Sequence, residues 1–382
     1  MSNAGCTPHT LLSCLDTRFP ELQYHVVLTE RCNLRCGYCG GTRHVEGIPL
    51  DVGYDVGDLA KFLSHDHEAV VGLYGGEPLL ALERMYEIMD RVPAKAFTLQ
   101  TNGTHLDEVD PTYLNRLDAI LVSIDGGREV TDVDRRGGVY ETLIRNCTLA
   151  RRRGYGNDLV ARMAFSRRGD IHRDVTHLLG LRDPGFDHVH WQLDVFWGEV
   201  RDEHEVEEWL DGYDEGIARL VRDFGDALER GVVLGVVPFI PVLRTLISGH
   251  PVPHIRCGSG RDSFAIMTSG RIDVCPIAPE LPYSAVGDIR NSTPDSLRDI
   301  LPVGEPCSLC PDKWVCGGRC LFANKTMFWG ERWFDRVCAS TRRMIRELGT
   351  LVEPTKKLMI DGTLQRDALD YPEINNGGEV IP

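Results

Sequence analysis

Six apolar segments alternate with amphipathic segments between about residues 21 and 200, and this alternation constrains the fold more than any other feature. Each apolar segment is rich in Val, Ile, Leu or aromatic residues and ends near Gly, Asn or Asp, which is typical of a buried strand. In the segments between them, such as 79–92 and 140–154, apolar residues recur at steps of three and four, as in amphipathic helices. Six strand–helix units in series predict an α/β fold with a parallel sheet, whose chemistry lies at the carboxyl ends of the strands. The predicted strands are 24–29, 70–76, 97–103, 119–126, 159–166 and 188–197.

The chain of 382 residues is longer than one average domain, and its composition changes along its length. From about residue 254 it is dense in Cys, Gly and Pro, which predicts a second, smaller domain. After about residue 350 it is polar, and we expect partial disorder there. The predicted divisions are a leader at 1–20, a core at 21–215, bridging helices at 216–250, a Cys-rich domain at 251–345 and a C-terminal tail at 346–382.

The formal net charge of −15 argues against a nucleic-acid partner, because the phosphate backbone repels an acidic protein. No run of about 18 apolar residues is present, so no membrane span is expected. The N-terminus has neither the basic region nor the long apolar region of a signal peptide, which predicts a cytoplasmic protein.

The 13 cysteines indicate metal binding, because ten of them are clustered and disulfides are disfavoured in the cytoplasm. The first cluster, Cys32, Cys36 and Cys39, has the spacing C-x3-C-x2-C and follows the first predicted strand. Structural zinc sites usually combine two pairs of ligands, whereas iron–sulfur clusters are held by thiolates in short loops. A 4Fe-4S cluster on three cysteines keeps one iron open for an outside ligand.

This motif, with the aromatic Tyr38 before its last cysteine, resembles the signature of the radical S-adenosylmethionine (radical SAM) superfamily. The resemblance implies a 4Fe-4S cluster whose open iron binds SAM. An electron from that cluster cleaves SAM to a 5′-deoxyadenosyl radical, which abstracts a hydrogen atom from the substrate. The implied electron donor is a ferredoxin-like or flavodoxin-like protein.

Further residues that resemble the family's SAM-binding elements follow the second, third and fourth predicted strands. Each alone is an ordinary turn residue, but their order behind the three cysteines matches the family. The resemblance implies that Glu77 meets the SAM amino group and that Ser123 contacts its ribose or carboxylate, with Arg145 a weaker candidate for the carboxylate. The implied SAM-binding residues are Tyr38, Gly75, Gly76, Glu77, Pro78, Asn102, Ser123, Asp125 and Arg145.

Seven cysteines in the C-terminal region resemble the pattern of the SPASM domain, which holds two auxiliary iron–sulfur clusters. Two structural zinc sites are the alternative interpretation. The resemblance assigns Cys307, Cys310, Cys316 and Cys338 to an outer cluster and Cys257, Cys275 and Cys320 to an inner one.

The inner cluster thus has three cysteines, because Ser263 occupies the position of a fourth cysteine in some relatives. Either one iron is open to a substrate thiolate, or a ligand comes from Asp262, Cys6, Cys14 or a small thiol. The two alternatives are evenly balanced.

Candidate acid–base residues lie near the end of the sixth predicted strand: Gln192, Asp194 and Glu199. Ordinary polar residues at a strand end are the favoured interpretation of all three. Relatives that oxidise sulfatases carry an aspartate after the second SPASM cysteine, whereas Pro276 follows Cys275 here, which weakens that interpretation.

The resemblance covers about residues 24–345 and implies a partial (β/α)6 TIM-like barrel followed by a small SPASM domain. It predicts an enzyme that modifies a peptide or protein, such as a ribosomally made peptide, by thioether or carbon–carbon crosslinking or by side-chain oxidation. The segment around the first cluster also resembles an archaeal group of peptide-modifying radical SAM proteins. Oxidation or rearrangement of a small molecule is the alternative, and a non-catalytic zinc protein is a third hypothesis.

Overall fold

A computed structural model describes residues 22–39, 46–194, 202–277, 279–372 and 374. Within these residues, nine strands form a single sheet in the order β6-β5-β4-β3-β2-β1-β7-β8-β9. The strands are β1 (Gln23–Thr29), β2 (Val70–Gly75), β3 (Ala96–Thr101), β4 (Ala119–Ser123), β5 (Asp158–Phe165), β6 (His188–Leu193), β7 (Ser263–Ile266), β8 (Arg271–Asp273) and β9 (Ala285–Asp288).

Helices follow most of the strands and cover the sheet. The α-helices are α1 (Val56–Leu63), α2 (Leu82–Arg91), α3 (Pro111–Leu114), α4 (Arg128–Arg135), α5 (Val139–Arg152), α6 (Ile171–Gly180), α7 (Glu203–Glu229), α8 (Phe239–Ser248), α9 (Pro294–Leu297), α10 (Lys313–Cys316), α11 (Leu321–Thr326), α12 (Glu331–Gly349) and α13 (Val352–Ile360). Short 3-10 helices span Pro78–Ala81, Leu106–Glu108 and Cys307–Leu309.

Strands β1 to β6 pair in parallel with their sequence neighbours, as the alternation of strands and helices predicts. Their apolar side chains are buried, including Tyr24, Leu73, Leu99 and Trp191, each 0% exposed. Burial on both faces explains why these strands are continuous apolar runs in the sequence. The carboxyl ends of β1 to β6 therefore lie along one edge, and the predicted fold class is confirmed.

The Cys-rich region is joined to the barrel through the sheet itself. β7 pairs in parallel with β1, with Tyr24 opposite Phe264, and β8 and β9 extend the sheet as an antiparallel hairpin. Both Tyr24 and Phe264 are fully buried. The second region is consequently attached along a strand edge and not only through a linker.

Two elements cross the divisions expected from the sequence. α7 is continuous through the expected division at 215/216, and Gly216 permits its close contact with α6, because a β-carbon there would lie 2.4 Å from Ile171. The expected C-terminal tail is helical as far as Ile360, with Leu348 and Thr355 fully buried. The sequence of α13 has only a weak amphipathic pattern, so it does not by itself indicate a packed helix. The helix packs against α7 and α8. Among the described residues, no helix combines the length and the apolar character that crossing a membrane requires.

Candidate active site

A cavity of about 700 Å³ lies at the carboxyl ends of the parallel strands, between the barrel and the Cys-rich region. Two separate groups of cysteines from the sequence prediction line it. They are Cys32, Cys36 and Cys39 from the loop after β1, and Cys257, Cys275 and Cys320 from the Cys-rich region. The fold thus brings together residues that are more than 200 positions apart in the chain.

The loop that carries the first three cysteines is held against α4. The Gly37 N–H donates to the Asp134 carbonyl at 2.8 Å, and the Cys39 N–H donates to the Cys36 carbonyl at 3.1 Å. Burial raises the pKa of the Cys36 thiol to about 11, against the opposing effect of Arg135. Buried thiols of this kind ionise most readily when a metal accepts the charge.

Polar donors surround the sulfur atoms of this loop. The Leu34 N–H lies 3.4 Å from Cys32 Sγ, and Asn102 Nδ2 lies 3.9 Å from the same atom. Arg135 Nη1 lies 4.0 Å from Cys36 Sγ. Three cysteine sulfurs with cationic and N–H neighbours are a donor set that fits an iron–sulfur cluster.

Gly75 and Gly76 line the cavity and allow β2 to approach the start of the cysteine loop. A β-carbon on Gly75, whose φ is +144°, would lie 2.3 Å from the Thr29 carbonyl oxygen. A β-carbon on Gly76 would lie 2.4 Å from the Arg31 carbonyl oxygen. The two glycines are thus required by the backbone of the protein itself, and they leave room for a ligand on the cavity side.

Glu77 and Pro78 do not line the cavity. The buried Glu77 carboxylate accepts hydrogen bonds from Thr101 Oγ1 at 2.6 Å, from the Asn102 N–H at 2.7 Å and from the Leu79 N–H at 3.0 Å. Pro78 is buried at the start of a 3-10 helix. Glu77 therefore ties the end of β2 to the end of β3, and its carboxylate is engaged by protein donors where the resemblance implied a SAM contact.

Asn102 and Ser123, two of the residues expected to bind SAM, line the cavity, whereas Arg145 does not. Arg145 lies within α5, where its Nε donates to Asn146 Oδ1 at 3.3 Å. Arg145 is exposed, on a different face of α5 from the buried Leu143 and Cys147.

Asp125 does not line the cavity but positions two residues that do. It accepts a hydrogen bond from Tyr38 Oη at 2.7 Å and forms a buried ion pair with Arg135, whose Nε and Nη2 donate at 2.7 and 2.9 Å. The Arg135 guanidinium also lies over the Tyr38 ring, 5.3 Å from its centroid. Asp125 thus fixes Tyr38 and Arg135 beside Cys36.

Arg135 is the main site residue that the sequence prediction missed. Burial opposes its charge, but Asp125 and the other neighbouring groups raise its pKa above the ordinary value, so it remains a cation. Its helix, REVTDVDR, has the composition of a solvent-exposed segment, yet Asp134 and Arg135 are buried. Only the tertiary contact with Asp125 distinguishes Arg135 from its charged neighbours.

Among the candidate acid–base residues, Gln192 and Asp194 line the cavity. The Asp194 N–H donates to the Phe165 carbonyl at 2.9 Å, which fixes the residue at the end of β6. Burial raises the pKa of its carboxyl to about 7, although Arg167 and Arg168 act in the opposite direction. Glu199 lies outside the described residues.

The four cysteines expected to hold the outer cluster, Cys307, Cys310, Cys316 and Cys338, form a third sulfur group away from the cavity. Burial, followed by the neighbouring thiolates of Cys338 and Cys316, raises the pKa of Cys307 to about 11. Cys316 accepts backbone N–H hydrogen bonds, and Arg342 Nη2 lies 3.4 Å from Cys310 Sγ. Four adjacent cysteines with these donors fit a fully ligated cluster. Among the described residues, no three His, Cys, Asp or Glu side chains form a group that could hold a single metal ion.

The candidates for a fourth ligand of the inner cysteine group differ in their burial, in their partners and in whether they line the cavity. Ser263 is buried in β7, and Asp262 forms an ion pair with His254, whose Nε2 lies 2.6 Å from Oδ2. Cys6 and Cys14 lie outside the described residues. Ser259, which the sequence prediction did not consider, lines the cavity with its Oγ 3.3 Å from Cys257 Sγ.

The family model described as "Radical SAM superfamily" matches residues 26–176. The predicted resemblance to the radical SAM superfamily is thus confirmed for this part of the chain. The family implies SAM and a 4Fe-4S cluster, in agreement with the donor set of the loop after β1.

Curated proteins resemble parts of the chain. A GTP 3′,8-cyclase of Corynebacterium glutamicum is 32% identical over an alignment 139 residues long that covers 31% of this chain and 36% of that protein. A 7-carboxy-7-deazaguanine synthase of Halobacterium salinarum is 38% identical over 81 residues, which are 20% of this chain and 31% of that protein. The chain thus spans about a third of the length of these relatives.

Solved structures resemble the fold over most of the chain. A tagged form of anSMEcpe with bound AdoMet superposes with a TM-score of 0.71 at 17% identity, covering 92% of this chain and 98% of that one. SuiB of Streptococcus suis superposes with a TM-score of 0.52 at 13% identity, covering 78% and 73%. At these identities, the likeness establishes a shared fold that includes the Cys-rich region.

Proposed function

We propose that the protein is a radical SAM enzyme that abstracts a hydrogen atom from a peptide or protein side chain, leading to a thioether or carbon–carbon crosslink or to side-chain oxidation. One observation carries this proposal: the cysteines of the radical SAM loop and the inner cysteines of the C-terminal region line the same cavity. When bound at Cys32, Cys36 and Cys39, the 4Fe-4S cluster would supply the electron that cleaves SAM to a 5′-deoxyadenosyl radical.

The residues around the loop would bind SAM and shield the reaction. Gly75 and Gly76 offer backbone without side chains, and Asn102 and Ser123 present polar side chains to the cavity. Arg135 places a fixed positive charge next to Cys36. The cation would stabilise negative charge on the sulfur ligands, since a buried charge pair acts strongly at short distance.

Asp194 would accept the proton that leaves the substrate after hydrogen abstraction. It lines the cavity, and a carboxyl with a pKa of about 7 is well suited to proton transfer near neutral pH. The substrate would lose one hydrogen atom to the 5′-deoxyadenosyl radical, one proton to Asp194 and one electron to an auxiliary cluster. Two auxiliary clusters, at the inner and outer cysteine groups, are part of this proposal.

A peptide substrate is supported by the structural neighbours. One solved complex contains anSMEcpe with AdoMet and the Kp18Cys peptide, and another contains SuiB bound to the precursor peptide SuiA. A small-molecule substrate is the second candidate, because the curated relatives of the radical SAM domain include GTP 3′,8-cyclases. Pro276 in place of an aspartate argues against sulfatase maturation itself.

The first test is anaerobic reconstitution followed by iron and sulfide analysis, with 5′-deoxyadenosine formation from SAM and dithionite assayed on the same sample. We expect about twelve irons per chain, from three 4Fe-4S clusters, together with 5′-deoxyadenosine. Zinc without iron, and intact SAM, would overturn the proposal in favour of a structural zinc protein. Cys-containing peptides encoded beside the gene then serve as substrates, and the loss of two hydrogen atoms by mass spectrometry supports peptide modification.

A further inference from the structure

Tyr283 and Cys275 lie on the two sides of the loop that connects β8 and β9. Asp273 pairs with Ala285 in this hairpin, and the Val274 N–H donates to the Ser284 carbonyl at 2.9 Å. Cys275 directly follows Val274 in the chain, and Tyr283 directly precedes Ser284. This hydrogen bond therefore holds the two residues on adjacent parts of the backbone.

Tyr283 also packs with the inner cysteines on one small apolar cluster. The fully buried members of that cluster are Ile255, Val274 and Leu321, and Cys257, Cys275 and Tyr283 pack against them. Burial, followed by Cys275 and Cys320, raises the pKa of the Tyr283 phenol to about 12. Cys275 and Cys320 are thus neighbours of this side chain, and Cys257 packs on the same apolar cluster.

The Tyr283 hydroxyl is buried and has no hydrogen-bond partner among the described residues. Leaving such a group unsatisfied is unfavourable, so a buried hydroxyl of this kind calls for a ligand or another partner. A phenolate oxygen is an established protein ligand of iron.

We propose that Tyr283 Oη is the fourth ligand of the inner cluster, completing the set of Cys257, Cys275 and Cys320. On binding, the phenol O–H bond breaks, an Fe–O bond forms and the proton is released to solvent, with no change of oxidation state. This inference rests on the proposed function, because it requires an iron–sulfur cluster at the inner cysteines.

With tyrosine as its fourth ligand, the inner cluster would have no open iron at which a substrate could bind. It would then serve only to carry electrons. Tyr283 is not among the residues that line the cavity, so the ligand approaches from the protein side. The other nearby oxygen groups are less suited to this role. Asp262 is paired with His254 and Ser263 is part of β7, whereas Ser259 lies on the cavity side.

The test uses the full chain with Cys32, Cys36 and Cys39 changed to Ala, so that only auxiliary clusters remain after reconstitution. Resonance Raman spectra should contain phenolate vibrations enhanced through iron–oxygen charge transfer. Tyr283→Phe removes only the hydroxyl and should abolish these bands, while exogenous cyanide or thiolate should then bind and change the electron paramagnetic resonance spectrum. Ser259→Ala is the matched control and should retain the bands, and circular dichroism verifies that both variants are folded.

Full iron content without phenolate bands in the parent protein would overturn the tyrosine ligand while leaving the proposed function intact. Bands that survive in Tyr283→Phe, or that vanish only in Ser259→Ala, would likewise overturn it. Absence of iron from the inner and outer cysteines would instead contradict the auxiliary clusters on which the inference rests.

Discussion

The barrel and the Cys-rich region are stabilised by different means. The parallel strands of the barrel, five to eight residues long, are almost entirely buried in one large apolar core. In the Cys-rich region, β7, β8 and β9 have three or four residues each, and the cluster beside the inner cysteines has three fully buried members. Phe264, Ile266 and Ile272 of β7 and β8 belong to the large core, which forms without a metal. The loops that carry the cysteines contribute few residues to that core, so we expect them to depend on their ligated metal to fold. The two parts should therefore respond differently to loss of iron.

Replacing a cysteine of the barrel should remove activity without unfolding the protein. Cys36→Ala should lower 5′-deoxyadenosine formation by more than about a thousand-fold, because the iron that binds SAM is lost. Iron content should fall from about twelve to about eight per chain, and the melting temperature should change little. Cys147→Ala is the control, since Cys147 is fully buried in the core of the barrel. Retained cleavage of SAM in Cys36→Ala would contradict the radical SAM site.

The corresponding change in the Cys-rich region should affect folding instead. Cys310→Ala removes a ligand of the outer group, so about four irons should be lost and limited proteolysis should cleave first within residues 300–340. Proteolysis followed by mass spectrometry locates the cleavage sites. Cleavage that begins within the barrel would show that the two regions do not differ in their dependence on metal.

Within the barrel, stability should depend on a polar contact and not on iron. Asp125→Asn leaves the buried Arg135 cation without its partner, which should cost about 3–5 kcal/mol in the free energy of unfolding. Denaturant unfolding of the iron-free protein measures this cost. Asp90→Asn is the control, because the Asp90–Arg116 pair is exposed to solvent and should contribute little to the free energy of unfolding. If both variants lowered the free energy of unfolding equally, burial would not be what makes the Asp125–Arg135 pair important for stability.

The smallest effect concerns pH. The pKa of Asp194 is raised from 3.8 to about 7 in the folded protein, so its protonated form favours folding. Relative to Asp194→Asn, the parent protein should lose stability as pH rises from about 4 to about 7. Substrate turnover should rise over the upper part of that range, since a base must be ionised, and should be reduced and flat with pH in the variant. If the stability of the two proteins changed with pH in the same way, the pKa of the Asp194 carboxyl would not be raised by folding.

The elements that sequence reasoning predicted share a local cause. Buried parallel strands are continuous apolar runs, and the spacing of Cys32, Cys36 and Cys39 is fixed by the ligand chemistry of a single loop. Both signals lie within a few residues of the chain, so they require no knowledge of distant contacts.

The features that sequence reasoning missed depend on distant partners. Arg135 enters the site only through Asp125, and Glu77 is directed away from the cavity by donors on β3. The pairing of Tyr24 with Phe264 joins residues 240 positions apart. No local pattern distinguishes such residues from exposed charges or isolated strands.

The pairing of β1 with β7 also determines how the protein can be divided. Residues 23–26 of β1 lie opposite residues 263–266 of β7, so a chain ending before Ser263 would expose the backbone edge of an apolar strand. Unpaired edges of this kind recruit strands from other molecules. An isolated barrel should therefore aggregate on expression. The protein should stay soluble only when the two regions are expressed as one chain.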